Sequence, residues 1–287
     1  VAIGSGKPCD MLKCLNGGAV HIPIPSLERG LELCRMGGFD SLAMSLGLVS
    51  GRDPAEVNGL FEEAGVVPGA WGVPFNWRGS VEEHRQGLEA FRSQTELMAA
   101  LCVTRCATWI LPGSNDLNFD QFGEFHVERL TPVATILRDH GMSFGMEFIG
   151  PKTLRDSFRF PWVYTMKEMM RVGSEIGPNV GILLDLWHLY TSGGSVEDVL
   201  KVPESKIVLV HINDAPLGLE RDHLVDNKRG LPGTTGVLPL KDFMAALREI
   251  GYCGPVEAEP FDDTLKELPE EERLQRVADS MRLAMGA

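Results

Sequence analysis

Short apolar runs alternate with helix-periodic stretches along almost the whole chain, and that alternation limits the fold more than anything else in it. The apolar runs fall at residues 11–15, 39–44, 66–73, 106–111, 143–149, 180–185, 206–212 and 255–260. Each is four to eight residues long and bounded by turn-formers, the pattern of a buried strand. Helical patterns lie between them, at residues 26–35, from Asp53-Pro54 to Gly65, 80–101, 122–140, 161–176, 196–200, 239–250 and 269–284. Several carry their own punctuation. Gly37-Gly38 stops the first, Pro54 opens the second, and Ser80 with Glu82 and Glu83 caps the third. Strands alternating with helices through short connections make a parallel sheet, and eight such units close into a (β/α)8 TIM barrel, α/β in class. The chain is expected to be one such domain over residues 1–287. A doubly wound open sheet is the competing architecture. Its nucleotide-binding glycine pattern is missing, because Asn16-Gly17-Gly18-Ala19 has no third spaced glycine leading into a helix.

In a parallel barrel, chemistry is built where strands leave the core at their C-terminal ends. Residues 181–188 show the pattern: an apolar run, then Asp185, then His188 three positions on. The preceding unit ends in Met146-Glu147-Phe148. The next ends in Val210-His211-Ile212, and the last holds Glu257 and Glu259 before Pro260-Phe261. A lone buried carboxylate is costly unless something pairs with it. A salt bridge would explain any one of these residues. Acid, acid, histidine and acid on four successive strands are explained more economically by one shared cation. Oxygen donors with a single imidazole suit Mn²⁺ first, with Mg²⁺, Co²⁺ or Zn²⁺ as alternatives.

Other residues qualify as substrate contacts. His188 is expected in the loop after the sixth strand. Arg229 stands beside the Leu231-Pro232-Gly233 turn in the longest loop, between the seventh strand and its helix. Long loops over a barrel mouth serve as lids or clamps. Lys152 and Arg155 follow Glu147 closely enough to hold an anionic or hydroxyl-rich substrate. Trp71, Phe75, Trp77, Trp109 and Phe261 lie at or beyond strand ends, where an aromatic face can cover a sugar ring or simply anchor a loop.

Charge narrows the partners. With 27 basic and 40 acidic residues the net charge is −13, a poor match for nucleic acid or an anionic membrane. No apolar run reaches the ~18 residues of a membrane span, and residues 1–10 show no signal-peptide pattern. The six cysteines form no CxxC pair, so reduced thiols and a cytoplasmic location are expected. The partner expected is a small sugar or sugar derivative, with a homo-oligomer or a hetero-subunit role also open.

Met146-Glu147-Phe148, Leu184-Asp185 with His188, Val210-His211-Ile212, Arg229 with Leu231-Pro232-Gly233, and Gly251-Tyr252-Cys253-Gly254 leading to Glu259-Pro260-Phe261 occur in that order. Together they resemble the xylose-isomerase-like TIM-barrel superfamily, and within it the sugar phosphate isomerase/epimerase and ketose 3-epimerase branch. The resemblance is strongest over residues 144–261. It implies that Glu147, Asp185, His211 and Glu259 are metal ligands and that Glu147 and Glu259 also work as acid and base. It implies substrate contacts for His188 and Arg229 and a pocket wall for Phe261. Glu257 is the alternative ligand on the last strand. By the resemblance, the expected activity is metal-dependent isomerisation or epimerisation beside a sugar carbonyl. Two departures stand out: Thr153 occupies a position where the epimerases carry a substrate-contacting glutamate, and the loop before Arg229 is longer than theirs. Both leave room for a lyase that cleaves 3-oxo-glycosides by elimination. An endonuclease, which in this superfamily needs three zinc ions and a basic groove, fits the charge poorly. A non-catalytic sugar-binding subunit is the remaining alternative.

Overall fold

A computed structural model describes residues 10–286. Eight parallel strands close into a barrel in chain order: Leu12–Leu15 (β1), Ser41–Met44 (β2), Val67–Gly72 (β3), Arg105–Ile110 (β4), Ser143–Phe148 (β5), Val180–Asp185 (β6), Ile207–Ile212 (β7) and Pro255–Ala258 (β8). β1 pairs with both β8 and β2, so the sheet has no free edge. The expected fold class is the one observed. Residues 1–9, including Cys9, lie outside the described part.

The helical layer follows from local sequence. Leu27–Gly37 (α1) is capped by the Ser26 side chain and ends at Gly38, whose φ of 60° suits glycine. Pro54–Ala64 (α2) starts behind Asp53, and Val81–Ala100 (α3) behind a reciprocal Ser80–Glu83 capping box. Phe119–Asp139 (α4), Met166–Ile176 (α5), Leu186–Thr191 (α6), Val196–Val199 (α7), Leu240–Glu249 (α8) and Glu270–Met285 (α9) follow, with further one-turn helices at Leu46–Val49 and Lys152–Arg155.

Three differences from the sequence expectation have physical causes. α4 begins at Phe119, not near 122, because Asn118 and Gln121 form a capping box. α5 begins after Thr165, not at Pro161, because Phe160–Pro161 pairs antiparallel with Gly113–Ser114 in a small ribbon. Residues 186–191 form α6 where a loop was expected. Asp185 ends β6 and also caps this helix, its Oδ1 accepting the Trp187 N–H at 2.6 Å.

Two features prepare the mouth of the barrel. Ala70, Ala107, Leu183 and Leu209, on β3, β4, β6 and β7, form an apolar layer of their own. The small side chains fall on β3 and β4, so the space above that half is the larger. The long loop after β7 is closed at its base. Asp214 and Gly230 exchange backbone hydrogen bonds of 2.9 and 2.8 Å. The buried Asp214 carboxylate then accepts N–H groups from Ala215, Thr235, Gly236 and Leu238 at 2.7–3.0 Å. Burial opposes charge on Asp214, but these backbone donors outweigh it and hold the carboxyl below its ordinary range.

Candidate metal centre and active site

Glu147 lies on β5, Asp185 ends β6, His211 lies on β7, and Glu259 follows β8 by one residue. One ligand atom from each comes within 4.8 Å of every other. His211 Nδ1 is 3.2 Å from Glu259 Oε2, 3.5 Å from Glu147 Oε1 and 4.0 Å from Asp185 Oδ2. Glu147, Asp185 and His211 are buried, and Glu259 is slightly open.

The donor set fits a divalent cation. Glu147 Oε1 and His211 Nδ1 are both buried and neither makes a hydrogen bond, although such groups are nearly always paired. Both are atoms that a cation at the convergence point would satisfy. Burial pushes the Glu147 carboxyl up to about 7, with Glu259 and Asp185 adding to the rise against His211. On Glu259 burial acts the same way but loses to His211 and Arg229, which hold it down to about 2. Three carboxylates crowded out of water require a positive charge among them.

His211 is held from behind. Its Nε2 is 3.5 Å from Glu257 Oε2, which also accepts Asn16 Nδ2 at 2.7 Å, while Glu257 Oε1 lies 3.5 Å from Cys14 Sγ. A carboxylate at Nε2 favours the proton there and leaves the Nδ1 lone pair facing the other ligands. Burial would lower the imidazole pKa, but without a cation the surrounding glutamates more than reverse this, so a metal ion would take the place of a proton on Nδ1. Glu257 thus sits on the far side of the ring from Glu259. Its replacement by Gln is expected to weaken Mn²⁺ binding by roughly 10–100-fold, the usual effect of losing a ligand's hydrogen-bond partner. Titration of metal into chelator-treated protein measures it, and unchanged affinity would remove Glu257 from this role.

Arg229, buried in the long loop, ties the acids together. Nη1 bonds Asp185 Oδ2 at 2.7 Å and Glu259 Oε2 at 2.9 Å, and Nη2 bonds Asp226 Oδ1 at 2.7 Å. Its guanidinium lies 5.2 Å from the Trp187 ring centre and 4.8 Å from that of Phe261. Burial disfavours its charge, but the three acids raise its pKa further. Asn213 Nδ2 completes the support of Asp185, bonding Oδ1 at 3.1 Å.

His188 occupies α6 and is buried. The Gly150 N–H donates to its Nδ1 at 3.2 Å, and Arg229 Nη2 lies 3.2 Å from its Nε2. That nitrogen is 3.8 Å from Glu147 Oε1. Burial pushes the imidazole down to about 3, so it stays neutral between the Gly150 N–H and the Arg229 guanidinium. Phe261 has φ of 42°, a strained value for a residue with a side chain, as its ring packs on Arg229. Trp109 is 48% exposed and stacks on the Arg78 guanidinium, whose other face meets Trp77. Lys152 is placed apart from this group: its exposed ammonium pairs with Asp156 and lines neither cavity at the mouth. Thr153 Oγ1 donates to the Leu224 carbonyl at 2.8 Å, anchoring the long loop instead of facing a substrate.

Two cavities meet at the four-residue cluster. One, about 560 Å³, opens toward β1–β4 and is bounded by Glu147, His211, Glu257 and Glu259 on its other side. A smaller one, about 240 Å³, is lined by His188, Asp226, Arg229 and Phe261. Trp109, Glu147 and Glu259 line both.

The chain belongs to the xylose isomerase-like TIM barrel family, whose model matches residues 31–284. An inosose isomerase of Bacillus velezensis is 25% identical over 281 residues, covering 94% of this chain and 95% of that protein. A xylose isomerase domain protein from Alicyclobacillus acidocaldarius superposes with a TM-score of 0.86 at 28% identity, covering 96% of this chain and 98% of that one. Two more distant structures share the fold. The IolI protein, determined with a zinc atom, is 22% identical with a TM-score of 0.77 over 96% of this chain and 98% of its own. A D-psicose 3-epimerase determined with D-fructose is 18% identical with a TM-score of 0.68 over 91% and 94%. Among the described residues, no helix is long and apolar enough to cross a membrane.

Proposed function

We propose that this chain is a divalent-metal-dependent isomerase or epimerase that moves a proton beside the carbonyl of a small polyhydroxylated ketone. The observation that carries this reading is the convergence of Glu147, Asp185, His211 and Glu259 within 4.8 Å, with Glu147 Oε1 and His211 Nδ1 lacking partners. The inosose isomerase and the D-psicose 3-epimerase, by their names, act on polyhydroxylated carbonyl compounds, which agrees with it.

A cation held by these four residues would supply the positive charge that polarises a substrate carbonyl and stabilises negative charge developing on it. The chain supplies the rest. Glu147 and Glu259 serve as the acid–base pair, one taking the α-proton and the other returning one. Neutral His188, 3.2 Å from Arg229 Nη2 and 3.8 Å from Glu147 Oε1, lines the substrate side of the site. Arg229 holds Asp185 and Glu259 in place, and Phe261 with Trp187 shields it from water. Return of the proton to the same carbon from the opposite side gives epimerisation. Return to the neighbouring carbon, with a hydroxyl proton moving across, gives isomerisation.

Manganese-loaded protein in D₂O, incubated with inosose, free ketoses and phosphorylated ketoses, is expected to place deuterium on the carbon beside the carbonyl of at least one. Elemental analysis of protein as purified should find a divalent metal. Loaded enzyme that exchanges no α-proton in any of these ketones, nor in a 3-oxo-glycoside, would defeat the proposal.

A further inference from the structure

The barrel mouth is divided by chemistry. The titratable groups of the cluster come from β5–β8 and the segments just after them. The opposite wall of the larger cavity comes from β1–β4 and is apolar: Ile22, Ile24, Met44, Leu48, Trp71 and Trp109. Its floor includes the small Ala70 and Ala107. The few polar side chains on that wall are largely committed. Asn16 donates to Glu257 and accepts from the Ala19 N–H, and the Thr108 hydroxyl accepts from Trp77 Nε1 at 3.0 Å. Ser45 sits exposed at the rim. A free sugar carries a hydroxyl on nearly every carbon. Hydroxyls turned toward Ile22, Ile24 and Met44 would lose water and gain no partner.

We infer that the substrate is a polyhydroxylated ketone bearing an apolar, ring-sized substituent. Its oxygenated carbons lie at Glu147, His211 and Glu259, and the substituent lies against the Ile22, Ile24, Met44, Leu48, Trp71 and Trp109 wall. The inference rests on the reaction proposed above and adds the substrate class. The volume agrees, since about 560 Å³ is within the range of sites that enclose two-part ligands and not only a single small polyol. Trp109, half exposed where the two cavities meet, offers an aromatic face to such a ring.

The test compares phenyl and methyl 3-oxo-glucosides on manganese-loaded protein, by calorimetric titration and by α-proton exchange in D₂O. The phenyl compound is expected to bind about tenfold or more tightly, the effect of taking most of an aromatic ring out of water. Leu48→Asn, on the half-buried rim of the wall, is expected to shrink that ratio toward one, and Leu48→Ala to shrink it less. Equal affinities with exchange in both compounds overturn the inference and leave the reaction standing. A phenyl preference that survives Leu48→Asn unchanged also overturns it, because the ring then binds elsewhere. A phenyl preference without exchange supports the inference and counts against the reaction. Failure of both compounds to bind overturns the inference.

Discussion

Glu259→Gln, assayed with saturating Mn²⁺, is expected to lose roughly 10²–10⁴ in turnover and in α-proton exchange, the range for removal of a positioned acid or base. Glutamine keeps the shape and can still accept from Arg229 Nη1, which now bonds Oε2 at 2.9 Å. It cannot carry the substrate's proton. Metal must be saturating because the same change weakens one of the four ligands, and metal content of the variant should be measured alongside. Exchange at the wild-type rate would show that Glu259 is a ligand without an acid–base role.

Arg229→Met is expected to cost about 3–5 kcal/mol of folding stability in the presence of a chelator, as breaking a buried ion pair from one side does. The side chain is 1% exposed and is the cation bonded to Asp185, Glu259 and Asp226 together. Methionine fills much of the space but strands those carboxylates. Manganese should restore part of the loss, because a cation among the ligands compensates Asp185 and Glu259 though not Asp226. Arg229→Lys should not recover the wild-type value. A single ammonium cannot reproduce a planar fork that engages separate acids through Nη1 and Nη2. Urea titration with and without metal measures all of this. A chelator-treated Arg229→Met protein with the wild-type midpoint would mean that those acids are neutralised in another way.

The ring of strands was readable because each strand is an apolar run closed by glycine, proline or a helix cap, signals that depend on neighbouring residues alone. The four clustered residues were readable for a related reason: a charge inside such a run is conspicuous wherever the strand goes. What could not be read depends on contacts between distant parts of the chain. Nothing near Glu257 in the sequence says that its carboxylate faces Asn16 and the rear of His211. Asp226 and Asn213 look like ordinary loop residues until Arg229 and Asp185 are folded against them. Residues 186–191 gave no signal for α6 because Leu186, Trp187, Leu189 and Thr191 are buried along with His188, leaving no polar face to mark a period. Lys152 had the right charge and the right distance along the chain from Glu147, but a four-residue helical turn carries it to Asp156 and solvent.

The latch at Asp214 separates two properties of the long loop that would otherwise change together. Because Asp214 and Gly230 close its base, the residue beside that closure, Arg229, is located by the stem together with Asp226 and the Leu224 anchor, and not by the first part of the loop. Segments inserted or removed around Leu217, which is 72% exposed, would then change the loop's length at little entropic cost. They would leave the guanidinium where the acids need it. The length of the loop can therefore change while the charge balance at its stem is kept.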